Sequence, residues 1–367
     1  MDSPIIRLAG SFDISGRLLG SAPYGSGHIN DTYVASFDTD NGGTRYIFQR
    51  INECIFTNSA ALMENISRVT TAAAAKLEAD GTADAERRTL RLVPTNDGRD
   101  SHRDDEDCLW RCYHFIEGAK TYDVIESPRQ AYEAARAFGN FQKLVSELDG
   151  PRLHETIPNF HHTRSRFERL REVAGADPLR RLASATAEWD FISRQEEAVD
   201  ILLELQASGQ IPERVTHNDT KLNNVMIDDG TMEGVCVIDL DTVMPGLALY
   251  DFGDLVRTAT SPAAEDEQDL SKVRMQMEMF EALARGYLSS ARDFLVPAEV
   301  SHLAFSGKLI TLEIGIRFLT DYLEGDVYFK TKRPGHNLDR CRTQLALVRS
   351  IEEQMDAMEK TIRGLSK

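Results

Sequence analysis

Between residues 217 and 224 the chain reads His217-Asn218-Asp219-Thr220-Lys221-Leu222-Asn223-Asn224, and two further acids, Asp239 and Asp241, follow an apolar stretch. That stretch runs Val225-Met226-Ile227, then Asp228-Asp229-Gly230, then Val235-Cys236-Val237-Ile238, the apolar-turn-apolar pattern of a β-hairpin. A hairpin returns its far end to the neighbourhood of its start. The expectation is therefore that Asp239 comes close to Asn224, with Asp219 one loop away. Asn and Asp oxygens are hard donors, and one or two protein carboxylates completed by phosphate and water is the donor set that Mg2+ prefers. Polar loops are rich in Asp and Asn for their turn-forming ability alone. The agreement of spacing, hairpin and second aspartate is what favours metal chemistry over turn chemistry.

Two kinds of element must position this cluster. From Arg17 to Gln49, apolar runs such as Tyr33-Val34-Ala35-Ser36-Phe37 and Tyr46-Ile47-Phe48 are punctuated by turns such as Asn41-Gly42-Gly43, which predicts antiparallel sheet. Asn58 to Asp80 carries Leu62, Ile66, Val69 and an alanine run, without Gly or Pro, and reads as a helix. Two further strands are expected to flank the acidic turn Asp97 to Asp107. At Glu117-Gly118 the pattern changes: Ser127-Pro128 offers an N-cap and a first-turn proline, and Phe138, Phe141, Leu144, Val145 and Leu148 recur at helical spacing. The predicted architecture is α+β, with a small sheet lobe over residues 1–117, a larger mainly helical lobe over 118–367, and a ligand between them.

Composition narrows the partners. The 367 residues hold 42 Lys and Arg against 59 Asp and Glu, a formal charge of -17, which repels nucleic-acid phosphates and anionic lipid headgroups. Neither nucleic acid nor membrane is an expected partner, and a polyphosphate ligand would need a cation to neutralise it. Cysteines 54, 108, 112, 236 and 341 are odd in number and sit in apolar runs, so they read as reduced thiols of a cytoplasmic protein. Cys108, Cys112 and His114 fall within the strand-like alternation of Leu109 to Ile116, which favours packing over a zinc cluster. No basic-then-apolar leader opens the sequence, and the apolar run from Leu309 to Leu319 is interrupted by Glu313 and Arg317. Nothing in the pattern specifies an oligomeric state.

Tyr24-Gly25-Ser26-Gly27-His28-Ile29-Asn30 is a strand-turn-strand whose Gly25 and Gly27 would let backbone amides approach phosphates, although an ordinary hairpin turn has the same composition. The spacing His-x-Asp-x4-Asn with a strand-terminal Asp twenty residues after the first resembles the phosphotransferase family of aminoglycoside and choline kinases, which shares the protein-kinase-like fold. That resemblance implies that Asp219 orients or deprotonates an acceptor hydroxyl, that Asn224 and Asp239 bind Mg2+, and that Lys221 faces the transferred phosphoryl group of ATP. Adenine would lie against the segment Tyr113 to Gly118, which includes Phe115 and Glu117. Asp251-Phe252-Gly253 spells the metal-binding tripeptide of protein kinases. It lies beyond the Pro245-Gly246 turn, whereas Asp239 closes the hairpin, so the resemblance assigns Asp251 instead to the structural aspartate that the family places after the metal ligand, where it accepts hydrogen bonds from the catalytic-loop backbone; metal binding through Asp251 is the alternative. Where other kinases carry a third-strand lysine, this chain offers Gln49. Phosphate binding must then lean on magnesium, Lys221 and loop amides, or Arg50 must substitute.

The residues around Tyr24 to Asn30, Arg214 to Asn224, Ile238 to Asp254, and Arg317 to Tyr328 are similar, nearly end to end, to the N-acetylhexosamine 1-kinase branch of that family, which also lacks the third-strand lysine. The branch phosphorylates the anomeric hydroxyl of N-acetylglucosamine and N-acetylgalactosamine with ATP and magnesium, and the resemblance implies sugar contacts from His28, Asn30, Arg317 and Tyr328. Arg317 at i, i+4 spacing from Glu313 and Asp321 is equally readable as a salt-bridged helix face. The rival readings are a kinase of an aminoglycoside, choline or another small alcohol, and a non-catalytic nucleotide- or sugar-binding pseudokinase.

Overall fold

The computed structural model describes residues 4–25, 29–40 and 42–365. In chain order it forms helix α1 (Ile5–Leu8), strands β1 (Arg17–Pro23), β2 (Asp31–Thr39) and β3 (Gly42–Arg50), helix α2 (Ser59–Ala79), and strands β4 (His102–Arg103), β5 (Leu109–His114) and β6 (Ala119–Lys120). Helices α3 (Pro128–Val145), α4 (Thr163–Ala176), α5 (Thr186–Ser193) and α6 (Ile201–Ala207) follow, then strands β7 (Arg214–Thr216), β8 (Val225–Asp228), β9 (Gly234–Val237) and β10 (Met244–Gly246). Helices α7 (Ala248–Ala259), α8 (Met277–Ala291), α9 (Pro297–Glu324) and α10 (His336–Leu365) complete the order. The chain divides into two compact units, both discontinuous in sequence. The first comprises residues 1–120, 147–157 and 226–244; the second comprises 121–146, 158–225 and 245–367.

The first unit is built on an antiparallel sheet of order β1-β2-β3-β5-β4. Period-two alternation sends Ala35 and Phe37, Tyr46 and Phe48, and Trp110 and Cys112 to one face, where they pack with Ile5, Leu8, Phe12 and Val93. The opposite face receives Gln49 and Arg111, which are direct cross-strand partners on β3 and β5. Helix α2 begins where the Asn58 side chain accepts from Ala61 N at 3.1 Å, a cap worth about 1 kcal/mol, and it buries Leu62, Ile66, Val69, Ala73 and Leu77. Strands β6, β8 and β9 form a second small sheet. Its hairpin turn is closed by Asp228, whose carboxylate accepts from Gly230 N at 2.9 Å and Thr231 N at 2.8 Å.

One expected strand does not form. Before the acidic segment, residues near Leu92 make only an isolated bridge to Tyr113, while the partner of β5 on the side away from β3 is β4, inside the segment read as a turn. Pro94 has no N–H to extend a ladder. Asp104 in turn gathers Glu106 N and Cys108 N at 2.9 Å each and Trp110 Nε1 at 2.8 Å, which closes a tight β4–β5 connection.

In the helical unit, α3 packs on α8, and α9 packs on α4, α7 and α10. Ser127 caps α3 by accepting from Gln130 N at 3.3 Å, with Pro128 in the first turn. Where α7 meets α9, a Cβ on Gly253 would sit 2.5 Å from the Ser306 carbonyl oxygen, so only glycine permits that approach. Among the described residues no helix is long and apolar enough to cross a membrane. All five cysteines are free thiols.

Candidate active site

The catalytic-loop candidate belongs to the helical unit and follows β7. His217 is fully buried, edge-on to Phe138 and Phe141, and its Nδ1 accepts from Asp219 N at 3.3 Å. Asn218 adopts a left-handed backbone, φ 64°, a conformation that Asn tolerates better than most residues. Asp251 pins the loop: its carboxylate accepts from His217 N at 2.9 Å, Asn218 N at 2.7 Å and Gln142 Nε2 at 2.6 Å, and its carbonyl accepts from Thr220 Oγ1 at 2.6 Å. This is the backbone-holding role expected of it. The Asp-Phe-Gly tripeptide lies inside α7 with all three residues buried, Phe252 packing against Phe280 and Tyr287.

With its neighbours fixed, Asp219 is left half-buried, its Oδ2 2.9 Å from Lys221 Nζ and 3.2 Å from Asn224 Nδ2. Burial works against its charged form, but Lys221, with His217 and Arg257 behind it, outweighs that and holds the carboxyl below its ordinary range. It is therefore ionised at neutral pH and able to accept a hydrogen bond from a hydroxyl. The Asn224 amide nitrogen also donates to Asp219 O at 2.9 Å, which leaves Oδ1 as the atom it can offer to a cation. That hard oxygen suits magnesium.

A second buried group supports the loop, and sequence reading missed it. His161 places Nδ1 2.7 Å from Glu313 Oε1 and Nε2 3.1 Å from Asn218 O, and Thr163 Oγ1 donates to Glu313 Oε2 at 2.7 Å. A carboxylate and a carbonyl only accept, so both imidazole nitrogens carry protons and the ring is an imidazolium. Burial opposes that charge, but Glu313 prevails, and the His161 pKa is raised. Burial likewise opposes the Glu313 carboxylate, and His161 keeps its pKa low. The pair is 152 residues apart in sequence, and no local spacing betrays it.

One turn along α9, Arg317 lies over the rings of Phe160, Tyr328 and Phe329, 5.0, 5.7 and 5.6 Å from their centroids, and donates to Tyr328 Oη at 3.4 Å. Among the described residues no ion pair joins Arg317 to a carboxylate, so the salt-bridged helix face is not what forms. Asp321 turns instead to the backbone, accepting from Val327 N, Tyr328 N and Phe329 N at 2.8, 2.8 and 2.9 Å. Arg166 stands nearby, donating to Phe160 O at 3.1 Å; burial, reinforced by the Arg317 charge, depresses its pKa.

In the sheet unit, Asp239 ends the β8–β9 hairpin as an exposed residue with a left-handed backbone, φ 60° and ψ 57°. Asp241 is buried and ion-paired with Arg111, Oδ1 to Nη1 2.5 Å. Gln49 does occupy the third strand, but its Oε1 accepts from Arg111 Nε at 3.0 Å and Nη2 at 2.8 Å, and its Nε2 donates to Thr32 Oγ1 at 3.1 Å. Arg50 points elsewhere and pairs with Asp31. Asn30 donates to Asp241 Oδ2 and accepts from Asn52 N at 2.9 Å, so both ends of its amide are engaged within the protein. Gly25 follows β1 at φ +79°, which glycine alone adopts freely. Gly27 and His28 lie outside the described residues. Phe115 is covered by the Arg45 guanidinium at 3.8 Å and by the Tyr24 edge at 5.7 Å; Glu117 forms a bidentate pair with Arg45, and its carbonyl accepts from Arg87 Nε at 3.0 Å.

Comparison with known proteins places this geometry. Residues 21–294 match the model of the phosphotransferase enzyme family. Among solved structures, an aminoglycoside phosphotransferase from Alicyclobacillus acidocaldarius superposes with a TM-score of 0.63 at 12% identity, covering 99% of this chain and 98% of that one. A spectinomycin phosphotransferase in complex with ADP and spectinomycin gives 0.56 at 13% identity, covering 96% and 97%. A choline kinase from Cryptosporidium parvum gives 0.55 at 16%, covering 95% and 93%. The fold is thus the protein-kinase-like one expected, a small antiparallel sheet and a larger helical part. The loop that Asp251 holds beneath Asp219 is carried on that fold, and the chain belongs to the phosphotransferase enzyme family.

Proposed function

We propose that this phosphotransferase transfers the terminal phosphoryl group of ATP to the anomeric hydroxyl of N-acetylhexosamines, N-acetylglucosamine and N-acetylgalactosamine, releasing ADP and the sugar 1-phosphate. The observation that carries the acceptor class is Arg317. A choline pocket needs open aromatic faces for a quaternary ammonium, and an aminoglycoside pocket needs acids for a polycation. Here the rings of Phe160, Tyr328 and Phe329 already carry the protein's own guanidinium, with Arg166 beside it. Such a surface repels cationic acceptors and donates hydrogen bonds to the carbonyl and hydroxyl oxygens of a neutral acylated sugar.

The chemistry asks little of the protein beyond position and charge. Asp219, ionised and half-buried, accepts the hydrogen bond of the acceptor hydroxyl and takes its proton as the oxygen–phosphorus bond forms. The anomeric hydroxyl suits so weak a base, because the ring oxygen draws electron density from it. Lys221 lies two residues on and balances charge at the transferred group. Magnesium, when bound, neutralises the polyphosphate; Asn224 through Oδ1 and Asp239 through its carboxylate are the residues that would hold it. Phe115 and Glu117 are assigned to the adenine, the Gly25 loop with Gly27 to the phosphates, and His28, Asn30, Arg317 and Tyr328 to the sugar. Gln49 is assigned with Phe115 and Glu117 to the nucleotide side.

Coupled ADP release with N-acetylglucosamine, N-acetylgalactosamine, kanamycin and choline side by side, followed by phosphorus NMR of the product, tests the proposal. Turnover of the two sugars with the phosphate coupled to the anomeric proton is expected. Turnover confined to choline or kanamycin, or phosphate on C6, refutes it.

A further inference from the structure

The sheet unit holds a feature that the proposed chemistry leaves unused: a guanidinium with almost no access to solvent. Arg111 is 1% exposed and Asp241 2% exposed. Desolvating an arginine is strongly unfavourable unless a carboxylate or other acceptors compensate it. Here Nε and Nη2 donate to Gln49 Oε1, and Nη1 lies 2.5 Å from Asp241 Oδ1 as an ion pair, with the Tyr113 ring 5.3 Å from the guanidinium carbon. Burial disfavours the charge and the Asp241 carboxylate, reinforced by Asp239, more than restores it.

The other end of this arrangement is the segment 239–243. Asp239 has a left-handed backbone, a state that is strained for a residue with a Cβ and persists only where the surroundings impose it. Three buried contacts do so on its C-terminal side. Arg111 holds the Asp241 carboxylate, Thr156 Oγ1 donates to Asp241 O at 3.2 Å, and Asn65 of α2, itself fully buried, donates to Val243 O at 3.0 Å. In kinases of this fold a third-strand lysine paired with a helix glutamate organises the phosphate and metal region. In this chain that lysine is replaced by Gln49, and the cation sits directly across the ladder, at its β5 partner.

We propose that Arg111 is a positioning residue for Asp239. Held by Gln49 and clamped to Asp241, it fixes the segment that presents the metal-binding carboxylate, and so takes over an organising task performed elsewhere by a third-strand lysine. The inference rests on the reading of Asp239 as a metal ligand. Arg111 acts through Asp241, and partners one step removed from a metal ligand typically change metal affinity by about 10–100-fold when lost.

The test uses the full chain with saturating ADP and manganese as the probe, read by electron paramagnetic resonance, together with the magnesium dependence of turnover and the KM for the sugar. Arg111→Met and Asp241→Asn should each raise the manganese Kd by about tenfold or more and shift the magnesium requirement to match; sugar KM should change less than about threefold in Arg111→Met, whereas Asp241→Asn also alters the partner of Asn30 and is read by manganese affinity alone. A lysine introduced on the neighbouring strand re-supplies a cation, so Gln49→Lys combined with Arg111→Met should recover most of the lost affinity. General destabilisation would not be repaired in that way. Should Arg111→Met not fold, Arg111→Lys and Asp241→Asn carry the same comparison, the lysine variant lying between wild type and Asp241→Asn. Unchanged manganese affinity in these variants, or no recovery when Gln49→Lys is added, overturns the proposal. Unchanged manganese affinity in Asp239→Asn overturns instead the underlying reading of Asp239, which separates the two failures.

Discussion

Glu313→Gln offers the sharpest test of how the catalytic loop is held. The carboxylate is fully buried, 2.7 Å from His161 Nδ1, and the same imidazolium donates to the carbonyl of Asn218, next to Asp219. Glutamine keeps the shape and removes the charge. Breaking one partner of a buried pair costs about 3–5 kcal/mol, because the remaining charge must be neutralised or left uncompensated. For a unit of this size that corresponds to roughly 6–20 °C in Tm. The pH dependence identifies the cause. His161 has a raised folded pKa, so its contribution is complete below its unfolded value of 6.5 and is lost as pH rises through the folded one. Glu313 has a lowered folded pKa, so its contribution is complete above 4.5 and is lost as pH falls through the folded one. Wild type should therefore exceed Glu313→Gln most between about pH 4.5 and 6.5, with the gap narrowing above. Thermal melts of both proteins from mildly acidic to mildly alkaline pH measure it. A Tm difference below about 2 °C, or a gap that does not vary with pH, would show that the charge pair does not hold this loop.

Asp219→Ala should lower kcat by at least ~100-fold while the melt stays near wild type, measured by coupled ADP release; near-normal turnover would remove Asp219 from the chemistry. Arg317→Ala should raise the KM for the sugar about tenfold with a smaller effect on KM for ATP, since one charge-assisted hydrogen bond is worth about 1.5–3 kcal/mol. Gly253→Ala should destabilise the helical unit by about 1–3 kcal/mol in spite of alanine's better helix propensity, because the added Cβ would lie 2.5 Å from the Ser306 carbonyl oxygen and 2.7 Å from Ile310 Cγ1; a melt at or above wild type would contradict the packing described.

What could be read from the sequence were features encoded locally. Ser127 announces its helix because a cap is a matter of one side chain and the next turn. Asp251 was legible because its place after the Pro245-Gly246 turn separates it from the hairpin-terminal aspartate and the family resemblance supplies its role. Arg111 was not. Leu109-Trp110-Arg111-Cys112-Tyr113 is buried on both faces, so a charged residue in its middle breaks the alternation without revealing what faces it, and Asp241 lies 130 positions later. His161 and Glu313 are hidden for the same reason, and the strand expected before Asp97 was misjudged because apolar content does not show where Pro94 interrupts a ladder. Non-local pairs between polar side chains are the part of this site that only coordinates disclose.

The discontinuity of the sheet unit bears on how the molecule is made. Residues 1–120 leave the ribosome well before residues 226–244, so the guanidinium on β5 has no acid to meet until Asp241 has been translated. At ordinary synthesis rates that delay is on the order of ten seconds. A nascent chain halted before Asp241 is therefore expected to keep Arg111 hydrated, and the sheet to become protease-resistant only after the later segment arrives.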